Sequence, residues 1–249
     1  KFLPKCLMPV NGKPLLDIWL TNLSKLDFGN IYINVHYLSD WVRGFINGHE
    51  MGGRCHLLFE HNLLGTAGTV GQLAGLSDAD YFLVAHADNL CLCDWDRFVD
   101  FHLHNRDPST VMTMMTFYSA CSEKVGLIDE VNGVVTGMRE KQRGLPPGLA
   151  NGAVYILERC VVEKILNSGF KDFSSEVIPY FLGKISVWEN KQMLVDIGDV
   201  SALVSVQGTD VYKQASGVDK TWLDEYRASV AVKLIEHKLR KGRSNNGRC

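Results

Sequence analysis

The sequence predicts an α/β protein with a doubly wound, mixed sheet, and three observations carry that expectation. Strand-like apolar runs alternate with helix-period segments through the first ninety residues or so, as in a parallel sheet wound with helices. The run Phe82-Leu83-Val84-Ala85 is short and apolar, as a buried parallel strand should be, and it is followed at once by His86-Ala87-Asp88-Asn89. Further along, Asn132-Gly133 lies between two apolar runs, a strong signal for an antiparallel hairpin.

Each element follows from its own pattern. Pro14 to Leu26 reads as a helix, with proline in its first turn and Leu15, Leu16, Trp19, Leu20 and Leu23 on one face. Gly29 ends that unit and Ile31–Val35 follows as a strand. Asp40 to Ile46 is expected to be helical, Cys55 to Phe59 a strand, and Thr66 to Leu73 the start of another helix after a glycine turn. The next strand is expected to end at Asp88. The middle of the chain then changes character: Val111 to Phe117 is a strand rich in Met and Thr, the two arms of the hairpin follow, Ala153 to Leu157 is a strand and Glu158 to Leu166 a helix. No Ser- or Pro-rich linker interrupts this series, so residues 1–207 read as one continuous Rossmann-like domain. Residues 208–249 read as a polar, turn-rich stretch, one long C-terminal helix carrying Trp222, Leu223, Tyr226, Val230 and Ile235, and a basic tail from Lys238 to Arg248 that is solvated or disordered.

Composition narrows the function. The 249 residues are 46% hydrophobic and 22% charged, which suits a soluble globular protein with a substantial core. A net charge of -2 gives no bulk electrostatic case for nucleic acid or an anionic membrane. Seven cysteines, an odd number, lie at positions 6, 55, 91, 93, 121, 160 and 249 without the spacing of a disulfide framework, so reduced thiols in a cytoplasmic protein are expected. No run is long enough to span a bilayer, and Lys1-Phe2-Leu3-Pro4-Lys5 is not read as a signal peptide. Oligomeric state is left open, with a homodimer as one option.

In open α/β sheets ligands sit beyond the carboxyl ends of the strands, where an acid such as Asp88 can hold a divalent metal against a phosphate. Three further stretches give this context: Pro4-Lys5-Cys6-Leu7-Met8-Pro9-Val10-Asn11-Gly12-Lys13-Pro14-Leu15, Glu60-His61-Asn62-Leu63-Leu64-Gly65-Thr66-Ala67-Gly68, and Asp196-Ile197-Gly198. With Glu140-Lys141 and Asn151-Gly152, this ordered set resembles the sugar-phosphate nucleotidylyltransferases, among them the mannose-1-phosphate and heptose-1-phosphate guanylyltransferases and the glucose-1-phosphate thymidylyltransferases. The resemblance runs from Pro4 to about Gln207.

The resemblance implies a reaction and a set of roles. A sugar 1-phosphate oxygen attacks the α-phosphorus of a nucleoside triphosphate and pyrophosphate leaves, so catalysis is mostly positioning and electrostatic stabilisation. By resemblance, Asp88 and Asp196 hold Mg²⁺, a cation that takes one or two carboxylates plus phosphate oxygens and waters. Lys5 reaches the nucleotide phosphates and Lys141 the sugar phosphate; Glu140 accepts sugar hydroxyls; Asn151 and the Gly126 backbone are sugar contacts. Glu60, Gly65 and Thr66 fall on the nucleotide side, and Gly65 is expected to let the backbone approach the base, which a Cβ would block. Lys13 is in the pattern but is read as structural. Gln142 and Asp199 depart from the residues common in the family.

Glu60 bears on the base. Uridylyl- and thymidylyl-transferring relatives commonly have glutamine there, which can both donate and accept. An ionised glutamate only accepts, and it matches the adjacent N1–H and N2–H₂ donors of guanine in a bidentate pair. GTP is therefore the expected donor, with a mannose- or heptose-type 1-phosphate as acceptor by family association.

Other readings stay open at this point. The family's Gly-x-Gly-Thr-Arg phosphate loop would precede Lys1, and the expectation is that it does so, because the chain begins without Met and in mid-pattern. If the loop were absent, a regulatory homologue that binds sugar nucleotides would be the better reading. Thymidylyl or uridylyl transfer to glucose 1-phosphate is a further alternative, as is a glycosyltransferase. His86, Asp88, Cys91, Cys93, Asp94 and Asp96 could be read as a zinc site, but Cys91-x-Cys93 is tighter than structural zinc prefers and no second pair is near. His102 and His104 would leave a helix on different sides, and Met112, Met114 and Met115 are simplest as core or pocket lining.

Overall fold

The computed structural model describes residues 3–208 and 217–246, with side chains of the last helix as far as Leu239. The chain divides into two compact units that interleave along the sequence. The first gathers residues 1–62, 87–92 and 195–249, and the second gathers 63–86 and 93–194.

In the first unit the helix Leu15–Leu23 is buried almost all round: Leu15, Leu16, Ile18, Trp19 and Leu20 are joined inside by Asp17 and Asn22. It begins one residue after the proline, whose fixed φ suits a helix entry, and it ends before the expected Leu26. Pro9–Val10 and Lys13–Pro14 pair antiparallel around Asn11-Gly12, both at positive φ as a tight hairpin turn requires. The strands Ile31–Val35 and Cys55–Phe59 pair in parallel, with the helix Ser39–Asn47 between them in sequence. The buried Asp17 has partners that include His49 and Gly217. His49 accepts from Met51 N through Nδ1 and so carries its proton on Nε2, which donates to Asp17 Oδ1 at 3.2 Å. Gly217 N donates to the same oxygen at 3.1 Å.

The C-terminal expectation needs correction. There are two helices, Lys220–Ala228 and Val230–Asn246, because Ser229 adopts an extended conformation between them. Ser229 Oγ donates to Tyr226 O and accepts from Val232 N, ending one helix and starting the next. The basic segment from Lys238 is therefore helical as far as Asn246; residues 247–249 of the expected tail, and 209–216 of the expected turn-rich stretch, lie outside the described residues. Tyr226 O–H donates to Leu7 O at 2.6 Å, so these helices pack into the unit that holds the first residues.

The second unit is built on a six-stranded sheet in the order Tyr81–Ala85, Gly148–Glu158, Met112–Ser119, Ile185–Glu189, Val134–Glu140, Gly126–Val131. Its core contains Met112, Met114, Tyr155, Leu157, Val161, Ile165, Phe173 and Ile185, each worth about 1.5–3 kcal/mol on burial. The three methionines are core residues, all fully buried. His102 is buried with Nδ1 2.8 Å from Thr113 Oγ1, while His104 is exposed beside Asp100, so the two do diverge. The hairpin at Asn132-Gly133 forms as expected, joining Gly126–Val131 to Val134–Glu140.

Two details differ from the sequence reading. The strand Tyr81–Ala85 stops before His86 and pairs antiparallel with Gly148–Glu158, not with a parallel neighbour. The strand Ile185–Glu189, which no expectation covered, supplies the parallel pairing of this sheet, to Met112–Ser119. Strand Gly148–Glu158 also carries a bulge: Asn151 opposes Thr116 but Tyr155 opposes Met114, and Ala153 within it has φ 53°.

Candidate active site

The residues expected at the site fall into two sets, one in each unit. The first set is Lys5, Glu60, Asp88 and Asp196. Asp88 precedes the short buried strand Asn89–Cys91, which is hydrogen-bonded to the strand Leu194–Asp196. Ile197 N donates to Asp88 O at 3.2 Å, and Trp19 Nε1 donates to Asn89 O at 2.7 Å. This pairing closes the long sequence gap between the two acids and anchors the backbone beside them to the first helix. Lys5, in a 3-10 turn after Pro4, places Nζ 3.1 Å from Asp88 Oδ2. Both side chains are partly open to solvent, so the pair is a screened contact of about 1 kcal/mol or less. Burial, with the Asp88 charge adding to it, pushes the neighbouring Cys6 thiol up to about 12, so it stays protonated and uncharged.

Glu60 follows directly on the strand Cys55–Phe59. Its N–H donates to Val35 O at 2.9 Å and its carbonyl accepts from His36 Nδ1 at 2.7 Å. Only 5% of the residue is exposed, which is rare for a glutamate at a strand end. Asp199, the departure from the family pattern, has a local purpose: Oδ1 accepts from Ala202 N at 2.8 Å and caps the helix Val200–Ser205.

The second set is Gly65, Thr66, Gly126, Glu140, Lys141 and Asn151. Gly126 and Glu140 face each other across the hairpin. A Cβ on Gly126 would lie 2.5 Å from Glu140 Oε2, so the missing side chain is what makes room for that carboxylate. Lys141 sits at φ 44°, an unusual backbone for a lysine, with its N–H donating to Val125 O at 3.1 Å and Nζ 3.7 Å from Glu140 Oε1. Asn151 Oδ1 accepts from Ala153 N and from Tyr155 O–H, each at 2.9 Å. That leaves the amide N–H₂ turned the other way, 4.0 Å from Met138 Sδ. Burial pushes the Tyr155 hydroxyl far above its ordinary value, so it serves as a hydrogen-bond donor.

Gly65 departs from its expected reason. Its φ is +84°, and a Cβ there would lie 2.2 Å from Lys171 O. Glycine is required by this backbone approach within the unit, whatever else comes near. Thr66 Oγ1 accepts from Phe173 N at 2.9 Å and is 3.5 Å from Asp172 Oδ2. The sequence reading missed this whole partner segment, Lys171 to Glu176; Asp172 before Phe173-Ser174-Ser175 was a legible capping signal.

For a metal, Asp196 at the end of one strand and Asp88 in the turn just before its partner strand offer oxygen ligands, with Asp196 exposed and Asp88 part-exposed. Among the described residues no cluster of three or more His, Cys, Asp or Glu is arranged to hold an ion. Asp94, from the possible zinc set, instead caps its own helix by accepting from Arg97 N. A hard cation that needs only one or two carboxylates, such as Mg²⁺, fits this donor set; a tetrahedral zinc site does not.

The Nucleotidyl transferase family model matches residues 1–212. The chain belongs to the nucleotidyl transferase family. It is 26% identical over 182 residues to a mannose-1-phosphate guanylyltransferase of Mycobacterium tuberculosis, covering 72% of this chain and 50% of that protein. It is 23% identical over 192 residues to a UTP–glucose-1-phosphate uridylyltransferase of Synechocystis, covering 71% and 49%. The chain thus spans about half the length of these curated relatives. In fold it is similar to HddC from Yersinia pseudotuberculosis, with a TM-score of 0.71 and 21% identity over 83% of this chain and 89% of that one. No described helix is long and apolar enough to cross a membrane.

Proposed function

We propose that this nucleotidyl transferase moves a nucleoside monophosphate from a nucleoside triphosphate to a sugar 1-phosphate, releasing pyrophosphate. The observation that carries this reading is the strand pairing that ties the Asp88 backbone to Ile197, the neighbour of Asp196, with Lys5 on the Asp88 carboxylate. Two acids on tied backbones, one of them paired to a lysine, are the groups that a polyphosphate and its divalent cation need. Asp88 and Asp196 would hold Mg²⁺, and the positive charge it supplies when bound would offset charge on the phosphate oxygens. Lys5, released from Asp88, would reach the triphosphate as a mobile point charge. Lys141 and Glu140 would take the acceptor, the first its phosphate and the second its hydroxyls, with the Asn151 amide N–H₂ as a donor to a further hydroxyl. Both substrates carry several negative charges, so the two lysines also offset their mutual repulsion.

For the base we favour guanine. Glu60 is a buried carboxylate, and the mannose-1-phosphate guanylyltransferase named above is among the relatives. The acceptor we favour is a manno-configured sugar or heptose 1-phosphate, and the compartment is the cytoplasm, where both phosphorylated substrates are found. Uridylyl transfer is the second reading, supported by the Synechocystis relative. A panel of four nucleoside triphosphates against mannose, heptose and glucose 1-phosphates, scored by pyrophosphate release with Mg²⁺, tests both. Release with GTP and a manno-type acceptor is expected; faster release with UTP or dTTP overturns the base assignment, and no release with any pair overturns the activity.

A further inference from the structure

The segment Lys171–Glu176 is bound to the Gly65–Thr66 backbone by a hydrogen-bond lattice that a surface turn does not need. Glu176 Oε2 accepts from two consecutive N–H groups, Lys171 at 2.7 Å and Asp172 at 2.8 Å. That fixes the Lys171 peptide, whose carbonyl accepts from Ala67 N at 3.0 Å and occupies the space a Gly65 Cβ would take. Asp172 Oδ1 accepts from Ser175 N and Oγ, at 2.8 and 2.7 Å, while its Oδ2 faces Thr66 Oγ1. Thr66 Oγ1 in turn accepts from Phe173 N. These hydrogen bonds hold both carboxyls below the usual range, so both stay ionised near neutral pH.

Capping the turn at Phe173 requires only the Asp172–Ser175 contact. The two bonds that Glu176 makes backwards, and the contacts to Thr66 from more than a hundred residues away, do something else: they set the position of the Gly65-Thr66-Ala67 backbone. We propose that Glu176 and Asp172 are positioning residues for the nucleotide, acting through the Lys171 carbonyl and the Thr66 hydroxyl on the loop at Gly65. This rests on the functional reading above, in which that loop lies on the nucleotide side. Neither acid touches substrate; each holds a backbone that does. Loss of either loosens nucleotide binding and leaves the acceptor side alone.

The test uses the full chain with Mg²⁺ and the nucleotide and sugar 1-phosphate that the wild type turns over fastest. Glu176→Ala should raise the nucleotide KM about tenfold while kcat and the acceptor KM stay within about twofold. Glu176→Gln, which keeps one carbonyl acceptor, should recover most of that loss, and the melting temperature should move little in either. Equal rises in both KM values, no rise in the nucleotide KM, or a loss that glutamine does not rescue would each overturn the proposal. Should the alanine variant not fold, Asp172→Asn decides: a rise confined to the nucleotide KM supports it and an unchanged value overturns it. A wild-type protein that turns over no substrate pair overturns the functional reading, and this inference with it.

Discussion

The set around Asp88 and Asp196 in the first unit and the set around Gly126 and Glu140 in the second are built in opposite ways. Asp88 and Asp196 come from remote parts of the chain, and their backbones are tied because two three-residue strands pair. Gly126, Glu140 and Lys141 sit on one tight hairpin, and Asn151 lies next door on a strand that pairs with the same sheet. The first set is expensive in loop closure and is secured by buried anchors such as Trp19. The second needs little closure and is secured by register, in which glycine opposite glutamate fixes where a carboxylate can go.

That contrast can be broken or sharpened by four measurements, taken from the largest expected effect to the smallest. Asp88→Asn and Asp196→Asn should each cost more than about 3 kcal/mol of transition-state stabilisation with the fold intact, because each removes a charge where charge develops. Near-normal turnover of either at saturating Mg²⁺ would separate that acid from the reaction. Next come the lysines. Lys5→Ala should raise the nucleotide KM by about 10- to 100-fold and Lys141→Ala the sugar-phosphate KM by a similar factor, each sparing the other substrate. Equal losses for both substrates in both variants would dissolve the division of labour between the sets.

Glu60→Gln should shift the ratio of GTP to UTP turnover by about 1–3 kcal/mol towards UTP, since glutamine restores a donor for the uracil edge. An unchanged ranking would remove Glu60 from base recognition. Gly126→Ala should have the mildest effect. The atom its methyl would meet is the end of a flexible side chain, so the fold survives and the Glu140 carboxylate moves. The acceptor KM should rise by about three- to tenfold and the nucleotide KM stay put, measured by steady-state kinetics with each substrate varied.

Much of this was legible in the sequence. The parallel pair, the hairpin at Asn132-Gly133 and the helix entries at Pro14 and Gly65 follow from local pattern, and those patterns decide local structure. What stayed hidden was the identity of partners across the sheet. A run such as Phe82–Ala85 looks the same whether its neighbour is parallel or antiparallel, because both faces are covered in either case. Gly65 shows the same limit at the site. Its type announces a left-handed backbone or a close approach, but the approaching group, Lys171 O, lies far away in sequence. Asp199 and Ser229, by contrast, carried readable local signals, an N-cap acid and a serine between two helical patterns.

The bulge in the strand Gly148–Glu158 works like a slack link in a chain under tension. Between Asn151 and Tyr155 the strand spends two more residues than Met112–Ser119 opposite it. The surplus is even, so side-chain parity is kept on both sides of it. Asn151 and the core residue Tyr155 thus lie four residues apart on their strand, while the residues they oppose lie two apart. Deleting Gly152 and Ala153 would equalise the two strands and leave Asn151 opposite Thr116 and Tyr155 opposite Met114, so the surplus can be removed without changing the partner of either residue.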